Sequence, residues 1–473
     1  MRRSSTAGAA GTTAAVGTTA AHGTADTPDT AGPPVTSPTA AVRTGSGTPR
    51  PDVAVVGGGV IGLVTAWRAA QRGLRTTVVD PEPGGGAARV AAGMLAAVTE
   101  LHYGEEALLA LNLASSARYP GFAAELEDAS GQEIGYRPCG TLAVALDADD
   151  RAHLRELHAL QRRCGLDSQW LTGRECRRLE PMLSPSVRGG LRVDGDHQAD
   201  PRRLATALLL ACEHAGVTFR RASAVRLSVT GAGAEGPGAA GPVTGRAGAR
   251  AARARTAGAR TAGARAAGVV LDDGTAVEAG QTVLATGSWA SRMAGVPREL
   301  LPPVRPVKGQ VLRLRMPPAS GPHGPFLSRT VRAIVRGGHL YLVPRANGEL
   351  VIGATSEEMG WDTTVTAGGV YELLRDAHEL TPGVTELPLT ETSAGLRPAS
   401  PDNAPLLGPT ALADLHLATG HHRNGVLLTP VTGDAMGELL AGGELPEPVR
   451  PFTPGRFEGA AAPATARALS LSE

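Results

Sequence analysis

Val53-Ala54-Val55-Val56-Gly57-Gly58-Gly59-Val60-Ile61-Gly62 is the stretch that decides how this chain folds. Four apolar residues stop at three glycines and resume as an apolar-periodic run, the pattern of a strand, a tight turn and a helix. Gly57, Gly59 and Gly62 fit G-x-G-x-x-G. The first glycine allows the turn, the second lets a pyrophosphate approach the backbone, and the third lets helix and strand pack closely. The helix start offers free N–H groups and a partial positive charge to phosphates. A second strand, Thr76-Thr77-Val78-Val79, ends at Asp80, a carboxylate 18 residues after Gly62. A spacing of about 20 suits an acid that grips a ribose hydroxyl. Together these features predict a dinucleotide-binding unit from Asp52 to Asp80.

Around this unit the composition is uneven. Residues 1–50 are nearly all Ala, Gly, Thr, Ser and Pro, and a disordered tail is expected there. A second low-complexity block, about 231–268, holds the pentad Ala-Arg-Thr-Ala-Gly twice and has no aromatics to stack on bases. It reads as a solvated insertion in a surface loop. Without both segments, the 473-residue chain still has length for two domains. A formal net charge of +1 argues against a nucleic-acid or membrane partner. Arg2 and Arg3 are followed by no apolar h-region, and no run of about 18 apolar residues occurs anywhere, so a cytoplasmic protein is expected. Cys139, Cys164, Cys176 and Cys212 form no C-x-x-C and have no histidine pair at metal spacing. They read as reduced thiols, with no metal site.

Further along, Glu105–Ala129, Asp147–Cys164 and the stretch from Asp200-Pro201 to Gly216 read as helices. The last has Asp at the N-cap and Pro at the first helical position. Gly140–Leu146, Ala224–Val229, Gly268–Leu271 and Thr282–Gly287 read as strands. Val304–Thr355 is mostly β, and a helix follows over about Gly369–Leu380. Glycine-rich motifs return at Gly395 and Gly420, so the cofactor domain is expected to be discontinuous in sequence.

Four segments carry a resemblance. They are the strand–glycine–helix start, Ala91-Ala92-Gly93-Met94-Leu95, Val283-Leu284-Ala285-Thr286-Gly287, and a C-terminal pair. That pair is Ala394-Gly395-Leu396-Arg397-Pro398 with Gly420-His421-His422-Arg423-Asn424-Gly425-Val426-Leu427-Leu428. On these residues the chain resembles the D-amino-acid oxidase superfamily of FAD-dependent oxidoreductases, and within it the glycine oxidases of thiamine biosynthesis, over about residues 52–445. The resemblance implies an α/β fold, with a Rossmann-like FAD-binding domain and a mostly antiparallel β substrate domain with helices. It places the FAD-binding domain at 51–130, 187–299 and 394–446, the substrate domain at 131–186 and 300–393, and a tail at 447–473.

The implied activity is oxidation of glycine, and of small amines such as sarcosine or D-alanine, to the imine, with O2 giving H2O2. Its product would supply thiamine thiazole synthesis. Alternatives are a D-amino-acid dehydrogenase passing electrons to a quinone, and a non-catalytic flavin-binding component. A homo-oligomer is compatible with this reading. The amine substrate carries a carboxylate, and a guanidinium fork matches it. The resemblance gives that part to Arg397, with the Tyr341 hydroxyl also reaching the carboxylate and Arg423 nearby. His339 shares the strand face of Tyr341 by period 2. Gly57, Gly59, Val60, Ile61, Gly62, Asp80, Ala92, Gly93, Met94, Val225, Ala285, Thr286 and Gly287 are the expected FAD-binding residues, with His422, Arg423, Asn424, Gly425, Val426 and Leu427 from the C-terminal loop. One of His421 and His422 is expected to face solvent. Lys308 could assist O2 as a cation, although a structural part suits it better. Two positions depart from the family pattern: Asp80, where Glu is usual, and Ser356, where glycine oxidases have Met in the substrate pocket.

Overall fold

Val53–Val56 is buried at all four positions, as a continuous apolar run in a parallel sheet should be. It pairs in parallel with Gln281–Leu284 on one side and with Thr76–Val79 on the other. Thr218–Arg220 extends the sheet beyond Thr76–Val79, and Leu415–Thr419 extends it beyond Gln281–Leu284. An antiparallel strand, Leu406–Pro409, closes one edge of this six-stranded sheet. The chain thus builds outward in both directions from Val53–Val56. A ligand crevice opens at the carboxyl ends of the strands where the order reverses.

The computed structural model describes residues 50–231, 263–297, 300, 304–318 and 325–457. The tail expected over 1–50 lies outside the described residues apart from Arg50, and so does most of the expected insertion. The flanks of that insertion, Ala224–Thr230 and Arg265–Leu271, pair antiparallel, with Ala276–Glu278 as a third strand.

The central strand sorts its side chains by period 2. Val53 and Val55 join a core with Leu63, Leu111, Leu204, Leu208 and Met436 from the helices Val60–Gln71, Glu106–Ser130, Pro201–His214 and Thr429–Leu440. Ala54 and Val56 pack instead on Leu227 and Val269 of the three-stranded sheet. The Asp200 carboxylate accepts from the N–H groups of Arg202 and Arg203, and Pro201 begins the helix, as the sequence requires.

A second sheet has eight strands. In spatial order they are Leu389–Ala399, Arg305–Arg315, Glu349–Gly353, Gly338–Pro344, Thr330–Val335, Thr141–Ala145, Gly189–Val193 and Gln169–Thr172. All neighbours are antiparallel except Thr330–Val335 with Thr141–Ala145. One face packs on the helix Ala367–Leu380 through Leu312, Leu314, Leu340, Leu342 and Leu373. The alternate residues, Val311, Tyr341, Val343 and Val351, turn toward Ala92 and Met94. This second face looks onto the carboxyl ends of the six-stranded sheet.

Three segment boundaries differ from expectation. Gly189–Val193 belongs to the eight-stranded sheet, because it is hydrogen-bonded between Thr141–Ala145 and Gln169–Thr172. Leu389–Ala399 is one continuous strand paired along its length with Arg305–Arg315, so the boundary placed at 394 cuts through it. The C-terminal tail cannot begin at 447, because Val449 and Phe452 are buried in the helix-side core and Arg456 pairs with Asp402.

Candidate active site

The crevice between the two sheets is a cavity of ≈ 460 Å³. The glycine turn forms one end. At Gly57, whose φ is +105°, a Cβ would lie 2.4 Å from the Ala285 carbonyl oxygen; at Gly62 it would lie 1.8 Å from the Gly57 carbonyl oxygen. At Gly59 a Cβ would meet nothing, because this position faces the open cavity. Asp80 accepts the Gly58 N–H at 2.7 Å on one carboxylate oxygen and the Glu82 N–H at 2.7 Å on the other. It therefore ties the turn to the second strand, and each oxygen keeps a lone pair for a hydroxyl on the cavity side.

The small-residue segment after this turn is held from the other sheet. Arg345, 5 % exposed, donates to the carbonyls of Ala92 and Ala199 and to Gln198. Burial lowers its pKa to about 10, so it is still a cation at neutral pH. Gly93 lies against Ala199, where no side chain fits. Ala285, Thr286 and Gly287 leave the strand Gln281–Leu284 at the cavity, and the C-terminal loop closes the far wall. His421 and Asn424 frame that loop as a short 3-10 turn, with His422 at φ +47°. Ser115 and Tyr119 donate to the carbonyls of Leu427 and Val426, which anchors the loop to Glu106–Ser130.

Seventeen of the residues expected to bind FAD or substrate line this cavity. They include Gly57, Gly59, Val60, Ile61, Asp80, Ala92, Gly93 and Met94 on the turn side. Ala285, Thr286, Gly287, His422, Arg423, Gly425 and Val426 form further walls, and Tyr341 and Arg397 come from the large sheet. Gly62, Val225, Asn424 and Leu427 do not line it. Gly62 packs on Gly57, Asn424 and Leu427 are buried behind the loop, and Val225 is 46 % exposed on the three-stranded sheet. Neither histidine of the loop is solvent-exposed in the expected way. His421 is 2 % exposed and bonded to the Thr432 hydroxyl at 3.0 Å, while His422 lines the cavity with a buried, unpartnered Nδ1. Burial, reinforced by Arg423 and Arg397, pushes His422 down to about 3, so it is neutral.

Arg397 and Tyr341 reach the cavity because two glycines make room. A Cβ on Gly309 would lie 2.5 Å from both Nη atoms of Arg397, and one on Gly353 would lie 2.5 Å from the Tyr341 hydroxyl. Register puts Gly353 directly opposite Tyr341. Arg397 Nη1 donates to the carbonyls of Thr355 at 3.1 Å and Lys308 at 3.4 Å. Among the described residues no carboxylate pairs with Arg397. Burial raises the Tyr341 pKa against the opposing charge of Arg397, so the hydroxyl keeps its proton and can donate.

The cavity's other arginines are neutralised. Arg332 pairs with Glu100 at 2.5 Å, and Arg423 pairs with Glu105 at 2.5 Å and lies 3.8 Å from Glu100. Burial alone would raise the Glu100 pKa, but the charges of Arg332 and Arg423 outweigh it and hold the carboxyl below its usual range. His102 and His339 meet edge to face at 6.4 Å, and burial lowers both. Glu100, His102 and Arg332 escaped the sequence reading. Glu100 and His102 sit in an irregular loop with no periodicity, and Arg332 reaches Tyr341 only through the pairing of Thr330–Val335 with Gly338–Pro344.

The profile of the family described as "FAD dependent oxidoreductase" (DAO) matches residues 52–439. The chain belongs to this family. It is 34 % identical over 409 residues to the bifunctional protein ThiO/ThiG of Synechocystis sp., covering 86 % of this chain and 54 % of that one. It is 32 % identical over 419 residues to the glycine oxidase of Geobacillus kaustophilus, covering 87 % and 98 %. The crystal structure of that glycine oxidase matches with a TM-score of 0.72 over 86 % of this chain and 98 % of that one. The hydrogen cyanide synthase subunit HcnC of Pseudomonas aeruginosa is 30 % identical, over 86 % and 96 % of the two chains. The chain thus spans about half the length of its bifunctional relatives and nearly all of the glycine oxidase. FAD is the family's cofactor, and the residues present fit it: the open cradle over Gly59, the helix start behind it and the Asp80 carboxylate suit a pyrophosphate and a ribose. Among the described residues no helix is long and apolar enough to cross a membrane.

Proposed function

We propose that this protein is a cytoplasmic FAD-dependent oxidase of glycine and of small amines such as sarcosine or D-alanine, releasing the imine and H2O2 and supplying thiamine thiazole synthesis. The observation that carries this reading is Arg397, which among the described residues has no carboxylate partner, beside two other cavity guanidiniums that have one. A half-buried cation held open in this way suits a small carboxylate ligand. The relatives named glycine oxidase support the substrate class.

FAD, when bound, supplies the acceptor for the hydride of the substrate Cα and passes the electrons to O2. The rest is positioning by the chain. Arg397 grips the carboxylate in a bidentate fork, and the protonated Tyr341 hydroxyl donates to one of its oxygens. That grip fixes Cα in one place and turns a bimolecular encounter into an oriented one. Arg332 and Arg423 do not compete for the carboxylate, because Glu100 and Glu105 already satisfy them. The loop before Thr429–Leu440, whose Gly425 and Val426 line the cavity, would hold the flavin, and the partial positive charge of that helix start would favour negative charge on it.

Peroxide release and oxygen uptake, measured with glycine, sarcosine and D-alanine, test the reading. Peroxide formed in step with oxygen consumed is expected. Turnover with an artificial quinone but not with O2 would replace the oxidase by a dehydrogenase, and no turnover with any of the three would remove the substrate class.

A further inference from the structure

Among 46 basic residues this chain has one lysine, Lys308. Its side chain is 0 % exposed. Along Arg305–Arg315, Gly309 and Val311 face the cavity, whereas Lys308 and Gln310 point to the opposite face, with Leu312 and Leu314. Nζ therefore lies outside the cavity wall and does not meet O2 there. It sits instead 3.5 Å from Glu357 Oε2 and 3.7 Å from Asp362 Oδ2.

Glu357 gathers this network. Thr355 Oγ1 donates to its Oε1 at 2.5 Å, and Gln310 Nε2 donates to the same atom at 2.8 Å. The main chains are joined as well: the Lys308 N–H donates to the Glu357 carbonyl at 2.9 Å, and the Glu357 N–H donates to the Lys308 carbonyl at 3.0 Å. The two carbonyls that receive Arg397 Nη1 belong to Thr355 and Lys308. This bridge holds them from one side; on the other, Lys308 lies opposite Leu396 in the strand pairing, and Thr355 donates its N–H to the Gln310 carbonyl at 3.4 Å and accepts the Gln310 N–H on its hydroxyl at 2.8 Å.

We propose that Lys308 and Glu357 form a clip that aims the Arg397 guanidinium into the cavity, so that both are positioning residues for carboxylate recognition. This rests on the function proposed above. The physics is asymmetric. A fully buried ammonium is tolerated only while a carboxylate faces it. Removing Lys308 takes the counter-charge from Glu357, removing the Glu357 charge leaves Asp362 as the ammonium's remaining carboxylate, and either change loosens one side of the segment that holds the Arg397 acceptors. A compact ammonium on a four-carbon stem lies between Glu357 and Asp362, and a bulkier planar guanidinium would have to displace the side chains packed around that buried point.

The test uses the holoenzyme and glycolate, which carries glycine's carboxylate but no oxidisable amine. Its Kd is read from the visible flavin spectrum, beside KM and kcat for glycine and the melting temperature. Lys308→Met and Glu357→Gln should each weaken glycolate and raise the glycine KM by about 10-fold or more, with kcat within about 3-fold of the parent and FAD retained. The double variant should be no worse than the weaker single, because both substitutions open the same clip. Lys308→Arg should not restore binding. A Lys308→Met protein with parental glycolate affinity overturns the clip, and so do additive losses in the double variant or a fall in kcat and melting temperature with KM unchanged. Should Lys308→Met fail to hold FAD, Glu357→Gln, at a partly exposed carboxylate, gives the same reading alone. A parent protein whose spectrum ignores glycolate would refute the proposed function itself. A parent that responds, with variants that match it, would refute the clip alone.

Discussion

Gly309→Ala is the smallest change that should reach the substrate without replacing any side chain that binds it. Gly309 lies in the middle of Arg305–Arg315 and does not use a left-handed backbone, so alanine fits its main chain. The new Cβ would stand 2.5 Å from Nη1 and Nη2 of Arg397 and 2.7 Å from Cζ, whereas ordinary contact begins near 3.4 Å. The guanidinium must retreat by about 1 Å, and as the free end of a flexible side chain it can do so with little effect on stability. A misplacement of about 1 Å in a positioning group can lower rate about 100-fold. Complete loss of such a charge pairing costs roughly 2–5 kcal/mol. A displaced arginine keeps its charge and loses its fork, so the glycine KM should rise by about 10- to 100-fold, or roughly 1.4–2.7 kcal/mol. Steady-state peroxide kinetics and a glycolate titration on the FAD-loaded variant would measure it. Parental values in both would refute the seat of Arg397 on Gly309, and with it the claim that this guanidinium is aimed at the ligand.

Arg397→Ala should keep FAD and lose glycine affinity by about 30-fold to several-thousand-fold, and Arg397→Lys should recover only part of it, since an ammonium cannot form the planar fork; loss of FAD instead would make Arg397 structural. Acid precipitation should release the flavin into the supernatant, because none of the four cysteines lines the cavity, and yellow colour left in the pellet would contradict this. Stability should fall as pH drops below about 6.5: burial lowers His416 to about 4 and His421 and His422 to about 3, so the unfolded chain takes up those three protons first. Each adds a loss of about 1.4 kcal/mol per pH unit, present in full only above the unfolded value, while Asp196, raised by burial to about 6, opposes with one proton taken up by the fold. Urea denaturation should show a net decline of about two protons' worth between pH 6 and pH 5, three histidines less Asp196, and a flat or rising midpoint would count against it.

The cofactor half of this molecule was readable because its signals are local. Strand, glycines, helix and Asp80 lie within 30 residues, and each glycine's reason is a contact with its own neighbourhood. The substrate wall was readable only in part. Tyr341 and His339 share a face by simple alternation, and Arg397 stood out beside its proline. Nothing in the sequence could show that Arg332 lies opposite Tyr341, that Glu100 neutralises it, or that Gly309 and Gly353 are seats for other residues' side chains. Those facts depend on register between strands far apart in the chain. The boundaries at 187 and 394 failed for the same reason, since a strand's sheet is chosen by its partner and not by its own residues.

The central position of Val53–Val56 also sets a timetable for synthesis. One of its edges is covered by Thr76–Val79 almost at once, but the other waits for Gln281–Leu284. Ribosomes add about 5–20 residues per second, so that edge stays open for roughly 10–45 seconds while the substrate sheet's first strands emerge. An apolar strand with unpaired backbone groups is an invitation to foreign pairing. The nascent chain therefore depends on being shielded until its middle third is made, and fragments ending before residue 281 should be caught by chaperones or aggregate however sound their first nucleotide-binding turn is.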